Sequence, residues 1–226
     1  MNIESLTGQS DQHIHWLSAN TGIHQHVIEP WQKLCAAAEK QGFELTIASG
    51  FRSFDRQLAI WNKKCLGQLD IKDIDNKLVD LNRLSDDEII EAILTFSALP
   101  GASRHHWGTD VDFYDKSALT AEQSIQLEPW EYQKNGPFFA LTQWLNQHAT
   151  SFGFYFPYDK YRGGIAAEPW HLSYYPIAEN CQKQFTQEKL YQCLQSSDIQ
   201  LKAKILTKLT VIYNQYITNI GHNYHG

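Results

Sequence analysis

Two short stretches of the chain carry the residue types that bind a metal ion and support hydrolysis. The stretch 103–112, Ser-Arg-His-His-Trp-Gly-Thr-Asp-Val-Asp, places two imidazoles and two carboxylates within ten residues. The stretch 168–171, Glu-Pro-Trp-His, adds one more imidazole and a carboxylate close to it. A catalytic zinc site commonly uses three such ligands and keeps one position open. Together the two stretches predict a three-ligand zinc site with a general base, as a hydrolytic metalloenzyme requires.

An arginine follows a glycine turn in a third stretch, 49–53, whose sequence is Ser-Gly-Phe-Arg-Ser. The preceding run, 43–48, alternates apolar and polar residues and predicts a strand with one buried face. Because Arg52 comes at the end of this strand, its side chain is well placed to reach into a cleft. An ordinary surface salt bridge would explain the same arginine, so this stretch alone does not decide its role.

The pattern His-x-His occurs twice near the N-terminus, as His13 with His15 and as His24 with His26. Such pairs are conceivable metal ligands. They lack the further cysteine or carboxylate ligands that would complete a shell, so a metal role is not favoured.

Composition and charge exclude several classes of protein. The 226 residues are 42% hydrophobic, which allows a sizeable core, and the formal net charge is −6. A general nucleic-acid binder would carry a basic excess, so no nucleic-acid partner is expected. The cysteines at positions 35, 65, 181 and 193 show no Cys-x-x-Cys spacing and are too few for a disulfide scaffold. We expect mostly buried thiols, with a 35–65 or 181–193 bridge left open.

No apolar run approaches the roughly 20 residues that a membrane helix needs. Residues 1–9 are polar and contain neither the basic nor the apolar segment of a secretory signal. These features predict a chain without an integral membrane segment and, by default, a cytoplasmic location. Export by another route, and with it a periplasmic location, stays open.

Predicted strands position the chemical residues. The run 109–114 predicts a strand in which Asp110 and Asp112 point to the same face, with the apolar residues between them on the other. The run 170–175 predicts another strand. Because the proline at 169 favours a bent entry, we expect Glu168 on the preceding loop and His171 on the strand itself.

Predicted helices surround these strands. Apolar residues at helical spacing, or a capping box, predict helices over residues 30–41, 55–64, 85–96, 138–145, 177–194 and from 197 or 198 onwards. The polar, acidic segment 67–84 is interpreted as an inserted loop.

Three motifs follow one another in a recognisable order: Ser-Gly-Phe-Arg-Ser, then Ser-x-His-x-x-Gly-x-x-x-Asp, then Glu-x-x-His. In this order they resemble the M15 family of zinc peptidases, which includes D-alanyl-D-alanine carboxypeptidases of the VanY type, dipeptidases of the VanX type and phage endolysins. The motifs span about residues 45–175. The resemblance implies an α+β fold, in which a small antiparallel sheet is flanked by helices (the Hedgehog/D,D-peptidase arrangement), here with extra C-terminal helices.

The resemblance also implies roles for the residues that match the motifs. The metal ligands would be His105, Asp112 and His171, and the cofactor would be a single zinc ion. Glu168 would be the catalytic base. Arg52 would stabilise the developing oxyanion and the bound peptide.

Three more residues are expected to shape the substrate side of the cleft. Ser103 and Gln57 match positions with that role in the family, although Ser103 could equally serve as a turn or cap residue. Trp170 is expected to wall the site, either as part of the core or as a platform for substrate.

One position departs from the family pattern. Asp110 stands where the family usually has a small residue, commonly alanine. It would either hold a ligand histidine in place or compete with Asp112 for the metal. His106 lies next to the matching histidine, so the pair is ambiguous, and the motif spacing favours His105 as the ligand.

The implied activity is hydrolysis of peptidoglycan stem peptides, most simply release of terminal D-Ala by a D,D-carboxypeptidase. An L,D-carboxypeptidase or an endopeptidase acting on muropeptides is the alternative. A silent peptide-binding zinc domain tends to lose the base or the arginine, whereas Glu168 and Arg52 are both present. A structural zinc site would be rich in cysteine. We expect residues 1–226 to form one metallopeptidase domain, with a motif core at 27–176, a helical extension at 177–221 and a frayed tail.

Overall fold

The computed structural model describes residues 1–120 and 122–221, so the predicted frayed tail lies outside the described residues. The strands are β1 (Ile14–Trp16), β2 (Gly22–His24), β3 (Leu45–Ser49), β4 (Asp110–Asp115), β5 (Phe154–Tyr155) and β6 (His171–Tyr174). The helices are α1 (Ile3–Leu6), α2 (Ile28–Glu39), α3 (Phe54–Cys65), α4 (Asp86–Leu94), α5 (Pro129–Tyr132), α6 (Phe139–His148), α7 (Tyr175–Gln184), α8 (Gln187–Gln195), α9 (Lys202–Thr207) and α10 (Leu209–Ile212).

Four strands form an antiparallel sheet in the order β3-β4-β6-β5. The strands β1 and β2 form a separate hairpin. In the main sheet Asp112 pairs with His171 across β4 and β6, and Ser49 at the end of β3 pairs with Asp112 from the other side. The predicted α+β fold, a small antiparallel sheet flanked by helices, is confirmed. The register gathers the ends of the three motif stretches at one place.

The two faces of β4 differ in character, one being apolar and the other carrying carboxylates. Val111 and Phe113 are fully buried and pack with α2 and α6 in one apolar cluster. Asp110 and Asp112 point to the opposite face, as the alternation of the sequence predicts. A second apolar cluster contains residues of α3, α4 and the C-terminal helices, including Trp61, Ile90 and Ile205.

Local signals set the ends of the predicted helices. Ser53 caps α3 by accepting a hydrogen bond from the backbone N–H of Arg56 at 3.2 Å. Ser85 and Glu88 form the predicted capping box of α4. This helix buries Ile90, Ile93 and Leu94.

The C-terminal segment differs from the prediction in two places. The single helix predicted over 177–194 is two helices, because the chain leaves helical geometry at Phe185 and Thr186 then caps α8 through the N–H of Lys189. The helix predicted to begin at 197 or 198 begins at Lys202, after Leu201 adopts a φ of 62°. The helices of this segment share the second apolar cluster with α3 and α4. The assignment of 1–226 to one domain stays a prediction.

The N-terminal hairpin supports two loops of the site. The N–H of Phe51 donates to the carbonyl oxygen of Gly22 at 2.7 Å, and the N–H of His24 donates to that of Gly108 at 2.8 Å. Gly108 has a φ of 67°, and a Cβ there would lie 2.4 Å from Ile14 and 2.7 Å from the backbone of His24. Only glycine therefore allows this turn to pack against the hairpin.

All four cysteines are free thiols, and Cys181 and Cys193 are buried. Burial raises the pKa of the Cys35, Cys65 and Cys181 thiols to about 12. Of the helices in the described residues, none combines the length and apolar character that crossing a bilayer requires.

Candidate active site

Three potential metal ligands converge on the polar face of the sheet. Asp112 and His171 pair across β4 and β6, and His105 lies on the 3₁₀ turn Arg104–Trp107 that leads into β4. One ligand atom from each residue lies within 4.8 Å of the other two, and all three residues are buried. The structure thus brings together the three residues predicted as ligands.

The two histidines would present different ring nitrogens to a metal. His105 donates from Nδ1 to the carbonyl oxygen of Gly50 at 2.9 Å, which leaves Nε2 facing Asp112 at 3.4 Å. His171 has Nε2 against a carboxylate oxygen of Asp110 at 3.0 Å, which leaves Nδ1 facing Asp112 at 3.2 Å. In each ring, the nitrogen that faces away from the cluster is fixed by a hydrogen bond.

The carboxylate of Asp112 fits a cation. Its Oδ1 is buried and accepts no hydrogen bond of good geometry, and the nearest ring nitrogen is Nδ1 of His171 at 3.2 Å, so a cation held between the two atoms would stabilise the buried charge. Burial opposes ionisation, but the neighbouring His105 and His171 hold the pKa of Asp112 well below its ordinary value. Two imidazoles and one ionised carboxylate form a donor set that suits a divalent metal such as zinc.

Asp110 orients His171 and is itself held by an arginine. Arg104 donates from Nε to Asp110 at 2.7 Å, and Thr109 donates its hydroxyl to the other carboxylate oxygen at 2.6 Å. Burial opposes ionisation here as well, but Arg104 and His171 keep the pKa of Asp110 well below its ordinary value. Of the two roles considered for Asp110, the geometry favours holding a ligand histidine.

Sequence reasoning did not identify Arg104, although it belongs to the motif stretch. Its side chain is buried, donates to Tyr155 at 3.1 Å and to Ser173 at 2.8 Å, and lies 4.8 Å from the ring centroid of Trp107. An arginine six residues before an aspartate of a predicted strand was the available signal. The buried ion pair links the ligand strand β4 to β5 and β6.

Arg52 faces the cluster from the loop after β3. Its guanidinium donates to Gln57 at 3.0 Å and to Ser49 at 3.2 Å, and it lies 3.9 Å from Asp112. Gln57 is buried and donates its amide to the carbonyl oxygen of Ala98 at 2.7 Å. In this structure Gln57 acts on the site through Arg52, and the direct substrate contact predicted for it stays a prediction.

His106, the neighbour of His105, is part of the framework. Its Nδ1 donates to the carbonyl oxygen of Arg52 at 2.6 Å, and its Nε2 accepts from the N–H of Gly101 at 3.0 Å. Burial lowers the pKa of His106 to about 3, so the ring is neutral. Both nitrogens are occupied, which rules this side chain out as a ligand in this conformation.

A cavity of ≈ 270 Å³ opens beside the three predicted ligands. Ser103 and Trp170 are buried and line it, and the hydroxyl of Ser103 caps no helix, while the substrate contacts expected of the two residues stay a prediction. Glu168 lies on the loop before β6, also lines the cavity, and approaches His171 Nδ1 at 3.4 Å. Tyr158 lines the cavity too, with its ring edge-on to His171 at 4.9 Å between centroids, and sequence reasoning missed it.

The N-terminal histidines support the site and are not part of its metal cluster. His13 hydrogen-bonds through Nε2 to the carbonyl oxygen of His106 at 2.9 Å, and its ring lies 5.6 Å from that of His24. In the part of the chain that the structure describes, the group of histidine, cysteine and acidic residues that meets the geometry of a metal site is His105, Asp112 and His171.

Two imidazoles and a carboxylate beside an open cavity, with a second carboxylate and an arginine in its wall, define the class of mononuclear metal-dependent hydrolases. The family model VanY, D-alanyl-D-alanine carboxypeptidase, matches residues 20–177. The chain therefore belongs to the VanY D-alanyl-D-alanine carboxypeptidase family and is an enzyme of that type.

Individual proteins are also similar to this chain. An uncharacterised protein of Haemophilus influenzae is 40% identical over 125 residues, which cover 54% of this chain and 95% of that protein. The solved structure of the vancomycin-resistance D,D-pentapeptidase VanY from a VanB-type cassette, in complex with Zn(II), is 23% identical with a TM-score of 0.52, covering 77% of this chain and 85% of that one. The LD-carboxypeptidase LdcB is 24% identical with a TM-score of 0.50, covering 76% and 69%. The two structures share the fold of this chain.

Proposed function

We propose that this protein is a zinc-dependent D,D-carboxypeptidase that releases terminal D-Ala from peptidoglycan stem peptides. The observation that carries the proposal is the convergence of His105, Asp112 and His171 beside a cavity that Glu168 and Arg52 line. The family assignment indicates which peptide bond is expected to be cut, and the geometry of the site supports the roles proposed for these residues.

The three clustered residues would hold the zinc ion, with His105 using Nε2 and His171 using Nδ1. Zinc in such a site supplies Lewis acidity, which polarises a carbonyl group and makes water more acidic. Asp110 and Gly50 keep the two rings oriented through their hydrogen bonds. The chain thus presents a preformed set of donors, which reduces the cost of ordering them on binding.

Glu168 is the proposed general base. Its carboxylate lies in the cavity wall and 3.4 Å from His171, so it stands next to the cluster without belonging to it. It takes a proton from the attacking water and returns the proton to the leaving amine, which restores the carboxylate. The scissile carbon–nitrogen bond breaks in the second of these steps.

Arg52 is proposed to stabilise the negative charge that develops on the scissile carbonyl oxygen. Its guanidinium is held by Gln57 and Ser49 and lies 3.9 Å from Asp112, so it already points at the reacting region. Loss of one such donor typically costs about 2.7–4 kcal/mol of transition-state stabilisation.

The test is incubation of zinc-loaded protein with a pentapeptide muropeptide ending in D-Ala-D-Ala, with products analysed by mass spectrometry. We expect loss of one alanine, abolished by a chelator. The Glu168→Gln variant should keep its zinc but lose activity by roughly 100-fold or more, because general acid–base catalysis contributes about 10²–10⁴-fold. Full activity of a zinc-loaded Glu168→Gln protein would disprove the role of this residue.

The same assay shows which peptide bond the enzyme cuts. The fold shared with LdcB makes an L,D-carboxypeptidase the second candidate, and this enzyme would release alanine from a tetrapeptide only. Cleavage of a cross-linked muropeptide would indicate an endopeptidase. If no peptide is cleaved while zinc is bound, a silent peptide-binding domain becomes the better account.

The compartment is a separate part of the proposal. We propose that the enzyme acts in the cytoplasm on wall precursors or on recycled fragments of the wall. Fractionation of cells with an antibody against the protein would test this, and recovery in the periplasm would contradict it.

A further inference from the structure

The cavity beside the predicted ligands continues into a second groove. The groove has a volume of ≈ 350 Å³, and four residues line both spaces: Lys64, Phe96, Leu127 and Trp170. Part of its remaining wall comes from the inserted loop, through Asp70, Lys72 and Asn76. Lys64 therefore borders both the cavity beside the cluster and the groove.

Lys64 lies on the last turn of α3 and is half-buried. Its ammonium group donates to the hydroxyl of Ser97 at 2.8 Å, and Ser97 also lines the cavity. Among the residues that the structure describes, no carboxylate lies within ion-pair distance of it. Burial lowers the pKa of Lys64, and the charge of Glu168 opposes that shift.

The other cations of these two spaces are already matched by carboxylates. Arg104 pairs with Asp110 at 2.7 Å, and Lys72 pairs with Glu128. Arg52 faces Asp112 at 3.9 Å. A half-buried ammonium group without a counter-charge is costly unless a ligand supplies one. With a divalent metal also present, the carboxylates of Glu168 and Asp70 would not balance the metal and Lys64 together, so the two spaces would carry a net positive charge.

We propose that Lys64 binds a carboxylate group of the substrate peptide and thereby sets the specificity of the enzyme. This inference rests on the proposed peptidase function. The carboxylate comes either from the C-terminus of the peptide, which makes the enzyme an exopeptidase, or from an internal acidic side chain lying in the groove. A charge-assisted hydrogen bond from an ammonium group recognises both in the same way.

The test compares Lys64→Met with the wild type and with Lys63→Met, since Lys63 is the exposed neighbour on the same helix. Each of the three zinc-loaded proteins is assayed with three peptides. The first ends in D-Ala-D-Ala with a free carboxylate, the second is its C-terminal amide, and the third keeps the free C-terminus but has its internal carboxylates converted to amides. We expect kcat/KM on the first peptide to fall at least tenfold in Lys64→Met, mainly through KM, and to stay unchanged in Lys63→Met.

The peptides identify the carboxylate. If the loss disappears with the C-terminal amide, Lys64 binds the terminal carboxylate; if it disappears with the internally neutral peptide, Lys64 binds an acidic side chain. An equal loss on all three peptides, or no loss on any, would overturn the proposal. A Lys64→Arg variant that recovers part of the lost affinity would exclude a purely structural role.

A binding measurement separates this inference from the peptidase function. Calorimetry with the Glu168→Gln protein, with and without Lys64→Met, measures affinity for the intact peptide. Lys64-dependent binding without any hydrolysis by the wild type would retain the inference and reject the D,D-carboxypeptidase. Hydrolysis by the wild type, with affinity unaltered by Lys64→Met, would retain the D,D-carboxypeptidase and reject the inference about Lys64.

Discussion

At the scale of single residues, the site depends on groups that fix the predicted ligands. His171 can present Nδ1 to a metal because Asp110 occupies Nε2, and His105 can present Nε2 because the carbonyl of Gly50 occupies Nδ1. The sequence indicated which residue types were present but left the ligand atoms undetermined, because these depend on the backbone partner that each ring meets.

We therefore predict that Asp110→Asn weakens zinc binding by roughly 10–100-fold while the protein still folds, as loss of an orienting partner typically does. The amide keeps the size of the side chain but removes the charge that His171 and Arg104 face. Competition with a chromogenic chelator measures the affinity. Asp115→Asn, at the far end of β4, is the matched control and should retain wild-type affinity. Equal affinities for all three proteins would contradict the orienting role.

At the scale of secondary structure, the alternation of residues 109–114 was enough to predict that Asp110 and Asp112 share a face. The neighbours of that strand were not predictable, because pairing β4 with β3 and β6 joins segments far apart in the chain. The same limit explains why the role of Arg104 was not predicted, because its partners Tyr155 and Ser173 are 51 and 69 residues away in the chain. The resemblance to known motifs supplied the long-range information that periodicity lacks.

His106 connects three segments and should make the protein sensitive to acid. Its pKa is about 3 in the folded protein, below the ordinary value of 6.5, so the unfolded state takes up the proton first. Stability from the neutral ring is complete above about pH 6.5 and falls by about 1.4 kcal/mol per pH unit between there and pH 3.

Denaturant unfolding of wild type and His106→Asn between pH 4 and 6 measures this effect. The variant should be less stable at neutral pH, and its stability should fall less steeply with acid. His13 and His24, whose pKa values burial also lowers, are present in both proteins. Parallel pH profiles would show that His106 does not cause the acid sensitivity.

At the scale of the whole molecule, the C-terminal helices share an apolar cluster with α3 and α4. Helix α3 carries both Gln57 and Lys64. In the last segment, where apolar residues at helical spacing predict a helix, Ile205, Leu209 and Ile212 are buried. This spacing did not predict the breaks between helices, since Phe185 and Leu201 give no strong stop signal. These breaks fold the segment back onto the domain.

Ile205→Ala should accordingly lower the free energy of unfolding of the whole protein by about 2–5 kcal/mol, because the side chain is fully buried. Val211→Ala is the control, since Val211 is 60% exposed and its loss should change stability by no more than about 0.5 kcal/mol. Tryptophan fluorescence and circular dichroism should report one transition. Separate transitions for the C-terminal helices and for the rest would contradict the single domain.

The most direct test of the central claim is a zinc titration of metal-stripped protein, following alanine release from a peptide ending in D-Ala-D-Ala. We expect no activity without zinc, a linear rise that stops at one equivalent, and no rise in an Asp112→Asn protein that remains folded. Activity that survives stripping, or that rises equally in Asp112→Asn, would show that His105, Asp112 and His171 are not the metal site of this enzyme.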